Sequence, residues 1–242
     1  MKQVAILGLS HFGKSVLDEL VRLNVEVFVM DKDRDRIDQY KDLASGSVII
    51  DVLNVENLRK VLPESTDAVV IDMGDSIEAS ILAASYCAKL RIKTIIVKAE
   101  TESHGEILEL VGATQVVFPN KEAAKRVSPL LLSSVLLNYL PVSGKLVIAE
   151  LAIPDSMTGK TIMQAELRKK HGLNLISVRT EDEEFDEFNP SHIFQKGDIG
   201  LFSGTDEALG AFTGTIIREE KHSTLRAQIL KLFRKEKKNS EQ

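Results

Sequence analysis

A glycine turn between two short apolar runs constrains the fold of this chain more than any other feature. Residues 4–7 (Val-Ala-Ile-Leu) lead into residues 8–13 (Gly-Leu-Ser-His-Phe-Gly), and a second apolar run, 25–30, ends at Asp31. A buried strand, a glycine turn that opens a helix, a second strand and a terminal acid are typical of a dinucleotide-binding βαβ unit. The alternative is an α/β sheet with a tight turn and no ligand.

Each position of the turn has a physical role in this interpretation. Gly8 permits the tight turn after the strand, and Gly13 lets the helix pack close to the sheet. The unpaired N–H groups at the helix N-terminus attract a phosphate. Ser10 stands where a middle glycine is usual, so its Cβ crowds the pyrophosphate slightly while its hydroxyl can donate to a phosphate oxygen. Asp31 can accept hydrogen bonds from ribose hydroxyls, and we therefore expect an adenine nucleotide here.

Composition excludes several classes of protein. The net charge of −5 argues against non-specific nucleic-acid binding, which requires a basic surface. No run approaches the roughly 20 apolar residues of a membrane span, and a strand rather than a secretory signal is predicted at the N-terminus. Cys87 is the only cysteine, which excludes an intrachain disulfide or a cysteine-cluster metal site. We expect a buried, inert Cys87 thiol and a cytoplasmic protein.

The rest of the N-terminal part alternates between apolar runs and segments of helical periodicity. The strands are predicted at 47–50, 68–71, 94–97 and 115–118, and the helices at 32–41, 55–62, 76–90, 101–111 and 121–137. Together with the first two strands, this pattern predicts a Rossmann-type, doubly wound parallel sheet with helices on both faces. A ligand then lies beyond the carboxyl ends of the strands, near Gly8, Asp31, Asp51 and Gly74.

The pattern changes near residues 138–144, which predicts a second domain. We assign 1–138 to a nucleotide-binding domain, 139–217 to a small α+β domain and 218–242 to a helical tail. Strands are predicted at 145–153, 173–179 and 199–203, with a helix at 160–170. The acidic segment 181–187 is more typical of a solvated loop than of a metal site. The basic tail is expected to pack on its own protein or a dimer mate, with partner docking or an anionic membrane surface as alternatives.

The order and spacing of these motifs resemble one family along residues 1 to about 214. The matching segments are 4–13, Asp31, 67–71, 74–80, 96–99, 112–113 and 116–119, followed by 150–154, 159–161, 172–174 and 197–198. In this pattern the chain is similar to the TrkA/KtrA-like cytoplasmic regulators of potassium uptake, which are built from RCK domains (regulators of potassium conductance).

The resemblance implies a nonenzymatic gating subunit at the inner face of the cell membrane. Family members form dimers that assemble into an octameric ring beneath a separate membrane potassium channel or transporter. Their sixth helix, here 121–137, crosses to the partner subunit. The first domain binds ATP, ADP or NAD(H), and the second domain of some members binds cyclic di-AMP.

The resemblance also implies a set of cofactor-binding residues. Those that would face the phosphates are Gly8, Ser10, His11, Phe12 and Gly13. Asp31 would bind the ribose, and the remaining members are Lys32, Asp33, Asp51, Val52, Met73, Gly74, Lys98 and Asn120. In the second domain, the residues that could line a cyclic di-AMP slot are Ile162, Met163, Arg168, Asn174 and Pro190. No catalytic and no metal-binding residue is expected.

Three positions depart from the family pattern. Many members have an arginine where this chain has His11, some have an acid where it has Asn120, and Ser10 replaces the middle glycine. These departures leave the nucleotide open between ATP or ADP and NAD(H). Two other functions also stay open at this point: an NAD-dependent oxidoreductase, and a standalone sensor of nucleotides or cyclic di-AMP without a channel.

Overall fold

The chain divides into two compact units. The computed structural model describes residues 2–53, 55–63, 65–180, 184–185 and 189–215. The division falls between Glu122 and Ala123, ahead of the boundary after residue 138 that the sequence pattern suggests. The tail at 218–242 lies outside the described residues, as do residues 216–217 and all of the acidic segment 181–187 except 184–185.

The first unit is a parallel six-stranded sheet with helical crossovers. Its elements are β1 (Gln3–Leu7), α1 (His11–Arg22), β2 (Glu26–Asp31), α2 (Arg34–Tyr40), β3 (Gly46–Ile49), α3 (Val55–Val61), β4 (Ala68–Ile71), α4 (Ile77–Lys89), β5 (Thr94–Lys98), α5 (Glu102–Leu110) and β6 (Gln115–Val117). The strand order is β3-β2-β1-β4-β5-β6, with every pair parallel. This order confirms the predicted Rossmann-type sheet. It reverses between β1 and β4, the point at which such sheets leave a crevice.

Both faces of this sheet are covered by apolar packing. Successive residues of β1 belong to opposite layers: Ala5 packs with Cys87 of α4, whereas Ile6 packs with Leu17 of α1. All four side chains are fully buried. Burial raises the pKa of the Cys87 thiol to about 12, because the thiolate would lose its hydration. Cys87 is therefore a buried thiol that stays protonated at neutral pH, as expected from its apolar neighbours.

The predicted helix at 121–137 is wrong in its second half. Helix α6 (Pro119–Val127) ends at Val127, a 3₁₀ turn follows at Ser128–Leu131, and the next strand begins at Leu136. Pro129 lies in the first positions of that turn. Proline has no N–H to donate, and its ring clashes with the carbonyl four residues earlier, so the α-helix cannot continue through it. Apolar residues such as Val127, Leu130 and Leu136 are thus divided between α6, the 3₁₀ turn and the next strand.

The second unit is a four-stranded antiparallel sheet with short helices. Its elements are β7 (Leu136–Ser143), β8 (Leu146–Ala152), α7 (Ile162–Ala165), α8 (Leu167–His171), β9 (Asn174–Arg179), β10 (Ile199–Thr205) and α9 (Asp206–Thr213). The order is β7-β8-β10-β9, so the predicted α+β class is confirmed. No helix among the residues described in either unit is both long and apolar enough to cross a membrane.

Two details of the second unit differ from the sequence prediction. The segment interpreted as a change of pattern between domains is strand β7, paired with β8 through residues such as Tyr139 and Ala149. The helix predicted at 160–170 is two short helices. Glu166 separates them with a φ of 47°, a left-handed conformation that an α-helix cannot contain.

The tight turn after β1 depends on the absence of a side chain at Gly8. Its φ is +91°, and a Cβ built there would lie 2.0 Å from the carbonyl oxygen of Asp72 at the end of β4. The Gly8 N–H donates to Met30 O of β2 at 2.7 Å. Gly8 therefore allows the turn to lie directly against both neighbouring strands.

We expect Gly8→Ala to destabilise the first unit far more than Gly74→Ala. Both glycines have positive φ, which costs an L-residue about 1–2 kcal/mol, but a Cβ at Gly74 meets nothing closer than 4.0 Å. The clash at Gly8 should add at least about 1–3 kcal/mol, as in other overpacked sites. Urea unfolding of the two variants measures the difference. Equal losses in the free energy of unfolding would contradict the close approach of Gly8 to Asp72.

Candidate functional site

A crevice lies in the first unit at the carboxyl ends of β1 to β4. It encloses about 510 Å³, part of it open to solvent. Six of the residues predicted for the cofactor site line it: Gly8, Asp31, Lys32, Asp51, Val52 and Met73. The lining residues that were not predicted are Met30, Arg36, Ile50, Leu53, Asp72, Ser76 and Ala79. Carboxylates, cationic side chains and apolar surface therefore converge at the position where a Rossmann-type sheet binds its ligands.

Gly8, the first residue of the glycine turn, lines this crevice, and the turn leads from it into α1. Helix α1 begins at His11, and a Cβ at Gly13 would lie 2.3 Å from the carbonyl oxygen of Gly8. The glycine at position 13 thus lets the first turn of α1 pack on the strand-to-helix turn, as the motif predicts. His11 is exposed and Phe12 half-buried at the start of the helix.

Asp31 is a buried carboxylate at the end of β2. Its Oδ2 accepts a hydrogen bond from Leu9 N at 2.7 Å, and its Oδ1 accepts one from Asp33 N at 2.9 Å. The Arg36 guanidinium lies 3.5 Å from Oδ2. These contacts fix the carboxylate between the glycine turn and α2. Each oxygen of a carboxylate has two lone pairs, so Asp31 keeps acceptor capacity for a ligand hydroxyl.

Asp33 and Asn120, both predicted for the cofactor site, lie outside the lining of the crevice. Asp33 is the N-cap of α2: its Oδ1 accepts from Asp35 N at 2.9 Å, and its Oδ2 lies 3.3 Å from the Arg36 side chain. Asn120 is exposed in the first turn of α6. Neither residue lines the crevice, nor do Ser10, His11, Phe12, Gly13, Gly74 and Lys98.

Asp72, which sequence reasoning missed, holds the floor of the crevice together. Its side chain is fully buried, and its Oδ2 accepts from Gly13 N at 2.8 Å and from the Ser10 hydroxyl. Its Oδ1 accepts from Gly74 N at 3.2 Å. The signal in the sequence was available, because Asp72 follows the apolar run of β4 in the same way that Asp31 ends β2.

Lys98 lies behind Asp72 at the end of β5. Its ammonium is 3.5 Å from Asp72 Oδ1 and 2.7 Å from Glu100 Oε1. Burial alone would lower the pKa of Lys98, but the hydrogen bond that its ammonium donates to Glu100 and the charge of Asp72 outweigh burial and raise that pKa. Lys98 is therefore a fixed cation that compensates Asp72.

A buried histidine continues this network away from the crevice. His104 Nδ1 accepts from Glu100 N at 3.3 Å, so the ring proton is on Nε2, which lies 2.8 Å from Ser80 Oγ. The Ser80 hydroxyl in turn donates to Ile77 O at 2.7 Å. Burial lowers the pKa of His104, although the nearby charge of Glu100 opposes the shift. His104 is therefore neutral at pH 7.

The residues predicted for a cyclic di-AMP slot are divided between α7, α8, β9 and a turn of the second unit. Ile162 is half-buried on α7, while Met163 beside it is 74% exposed. Arg168 is exposed on α8, Asn174 is exposed at the start of β9, and Pro190 is exposed in a turn. The cyclic di-AMP slot stays a prediction.

Comparison with known proteins identifies relatives of both units. The TrkA-N domain family matches residues 4–119. The chain is 29% identical over 216 residues to the Ktr system potassium uptake protein C of Bacillus subtilis, covering 89% of this chain and 98% of that protein. It is also 29% identical over 178 residues to the Ktr system potassium uptake protein A of the same organism, covering 74% and 80%.

A solved structure with the same fold is the GsuK channel bound to NAD. The TM-score is 0.63 at 20% sequence identity, and the match covers 91% of this chain. This chain spans only 40% of that channel chain. At this level of identity the similarity establishes the fold.

We expect His104 to make the stability of the protein depend on pH below about 6.5. The unfolded histidine has a pKa near 6.5 and the folded one a lower pKa, so the unfolded state binds the proton more readily as the pH falls. The free energy of unfolding should therefore decrease from about pH 6.5 downward. In His104→Gln this part of the decrease should disappear.

Urea unfolding between pH 7.5 and 5.5 measures this slope. The matched control is His11→Gln, because His11 is exposed at the first turn of α1. The control should keep the wild-type slope. An unchanged slope in His104→Gln would show that His104 does not carry the pH dependence.

Proposed function

Because this chain belongs to the TrkA/KtrA-like family of RCK-domain regulatory subunits of potassium uptake systems, we propose that it regulates a membrane potassium transporter by binding a nucleotide. The observation that carries the proposal is the crevice at the switch point of the sheet, with the glycine turn and Asp31 at its edge. The ligand candidates are ATP, ADP and NAD(H).

The chemistry of the lining supports an adenine nucleotide. Asp31 and Asp51 offer carboxylate oxygens to ribose hydroxyls, and the apolar side chains of Met30, Ile50 and Val52 offer surface to a flat base. The cationic Lys32 in the lining offers a charge partner to a ligand phosphate. The NAD complex of the GsuK channel, which shares this fold, adds support for NAD(H) as a candidate.

Regulation requires binding without turnover. A bound ligand shifts an equilibrium between two shapes of the protein only by its difference in affinity for them. Couplings of about 1–3 kcal/mol are typical and change an equilibrium constant by 5- to 150-fold. We therefore propose a nonenzymatic subunit that holds the nucleotide unchanged. An oxidoreductase would instead consume bound NADH in the presence of its substrate.

The proposed partner is an integral membrane potassium channel or transporter at the inner face of the cell membrane. The names of the two Bacillus relatives, both components of Ktr potassium uptake systems, support this partner. We further propose that the chain works as a homo-oligomer, with dimers assembled into a ring. The changes of shape in the individual subunits would then act on the pore jointly.

We expect Asp31→Asn to weaken nucleotide binding about tenfold or more without unfolding the protein. Hydrogen bonds to a charged group contribute about 1.5–3 kcal/mol, and asparagine lacks the charge. Asparagine is preferable to alanine here, because its oxygen still accepts from the buried Leu9 N–H that Asp31 now satisfies. Isothermal titration with ATP, ADP and NADH measures the loss.

The control is Asp38→Asn, the same change at an exposed position of α2. It should bind like the wild type. Equal affinity in Asp31→Asn and the wild type would remove Asp31 from the site. Consumption of NADH during the titration would contradict a nonenzymatic role.

A further inference from the structure

We propose that Asp72 is a specificity-determining residue of the crevice, which selects ligands that carry little negative charge beside the glycine turn. Its buried carboxylate accepts from a backbone donor at the N-terminus of α1 that would otherwise attract a ligand phosphate. The inference rests on the proposed nucleotide binding. The favoured class is a nucleoside, a monophosphate or a dinucleotide, whose phosphodiester groups carry one charge each. A nucleoside di- or triphosphate is disfavoured.

Helix α1 has an unusual N-terminal cap. The helix has 12 residues, and Ser10 at its N-cap makes no side-chain hydrogen bond to its own helix. The Ser10 hydroxyl donates instead to Asp72 Oδ2, which also accepts from Gly13 N at 2.8 Å. The helix is therefore capped by a carboxylate from β4. Asp72 therefore compensates part of the partial positive charge that draws anions to a helix N-terminus.

The Asp72 carboxylate cannot move aside for a phosphate. Its side chain is fully buried, Gly74 N donates to Oδ1 at 3.2 Å, and the Lys98 ammonium is 3.5 Å away. Swinging outward would break these contacts and leave the buried Gly13 N–H and the half-buried Gly74 N–H without this acceptor, which is unfavourable. Asp72 is therefore a fixed carboxylate whose negative charge is neutralised only in part, because Lys98 lies closer to Glu100 than to Asp72.

Acidic side chains outnumber basic ones in the lining of the crevice. The lining contains three acids, Asp31, Asp51 and Asp72, and two bases, Lys32 and Arg36. The Arg36 guanidinium already lies beside Asp31 and Asp33, and Lys98 is shared between Asp72 and Glu100. Each further charge on a phosphate chain near the turn thus meets repulsion that these cations only partly offset.

The test is a series of ligands that differ in phosphate charge. Adenosine, AMP, ADP, ATP and NAD are titrated by calorimetry in buffer with EDTA, so that magnesium does not neutralise the phosphates. For the wild type we expect ADP and ATP to bind no more than threefold tighter than AMP. In Asp72→Asn, ADP and ATP should gain tenfold or more, while the affinity for adenosine changes less than threefold.

The matched control is Asp75→Asn, an exposed acid three residues further along the same loop. It should keep the wild-type ratios. A wild-type affinity that rises tenfold with each added phosphate would overturn the inference while leaving nucleotide binding intact. The same conclusion would follow from a folded Asp72→Asn with wild-type ratios. If Asp72→Asn fails to fold, the wild-type series decides alone. Absence of binding by every ligand to both proteins would contradict the proposed function, and this inference with it.

Discussion

The Asp72 carboxylate connects parts of the first unit that are distant in the sequence. One oxygen accepts from Gly13 N and the Ser10 hydroxyl, while the other accepts from Gly74 N and faces Lys98. A fully buried charge is tolerated only when it is paired and hydrogen-bonded. The start of α1 and the ends of β4 and β5 are therefore constrained to meet at this point, and the position of the crevice follows from that constraint.

The same constraint determines what the crevice offers a ligand. The Asp31 carboxylate faces it from β2, fixed by Leu9 N and Asp33 N, while Asp72 closes its floor. A helix N-terminus at the switch point of a Rossmann-type sheet would ordinarily favour phosphate. Here Asp72 compensates part of that attraction. Ligand recognition is therefore expected to depend more on the ribose and the base than on a long phosphate chain. The crevice would thereby discriminate between nucleotides that differ in phosphate charge.

Much of this arrangement could be predicted from the sequence, because it depends on local patterns. Gly8 and Asp31 stand at the ends of apolar runs, and the parallel order of the strands follows from their alternation with helices. The position of Asp72 after an apolar run is visible in the sequence, but its role is not, since its partners Gly13 and Lys98 come from two other segments. The predicted helix at 121–137 is wrong for a local reason: the apolar periodicity continues past Pro129, but a proline at that position ends the α-helix.

Potassium uptake by living cells shows whether this chain regulates a potassium transporter through its nucleotide. Rubidium influx would be compared in cells that lack this chain, cells that carry the wild type, and cells that carry Asp31→Asn at equal protein level. We expect rubidium influx to be lower in cells that lack the chain. The wild type should restore influx and its response to nucleotide levels. Asp31→Asn, although present at the same level, should not restore that response. Influx that is the same in all three strains would contradict a role in potassium uptake.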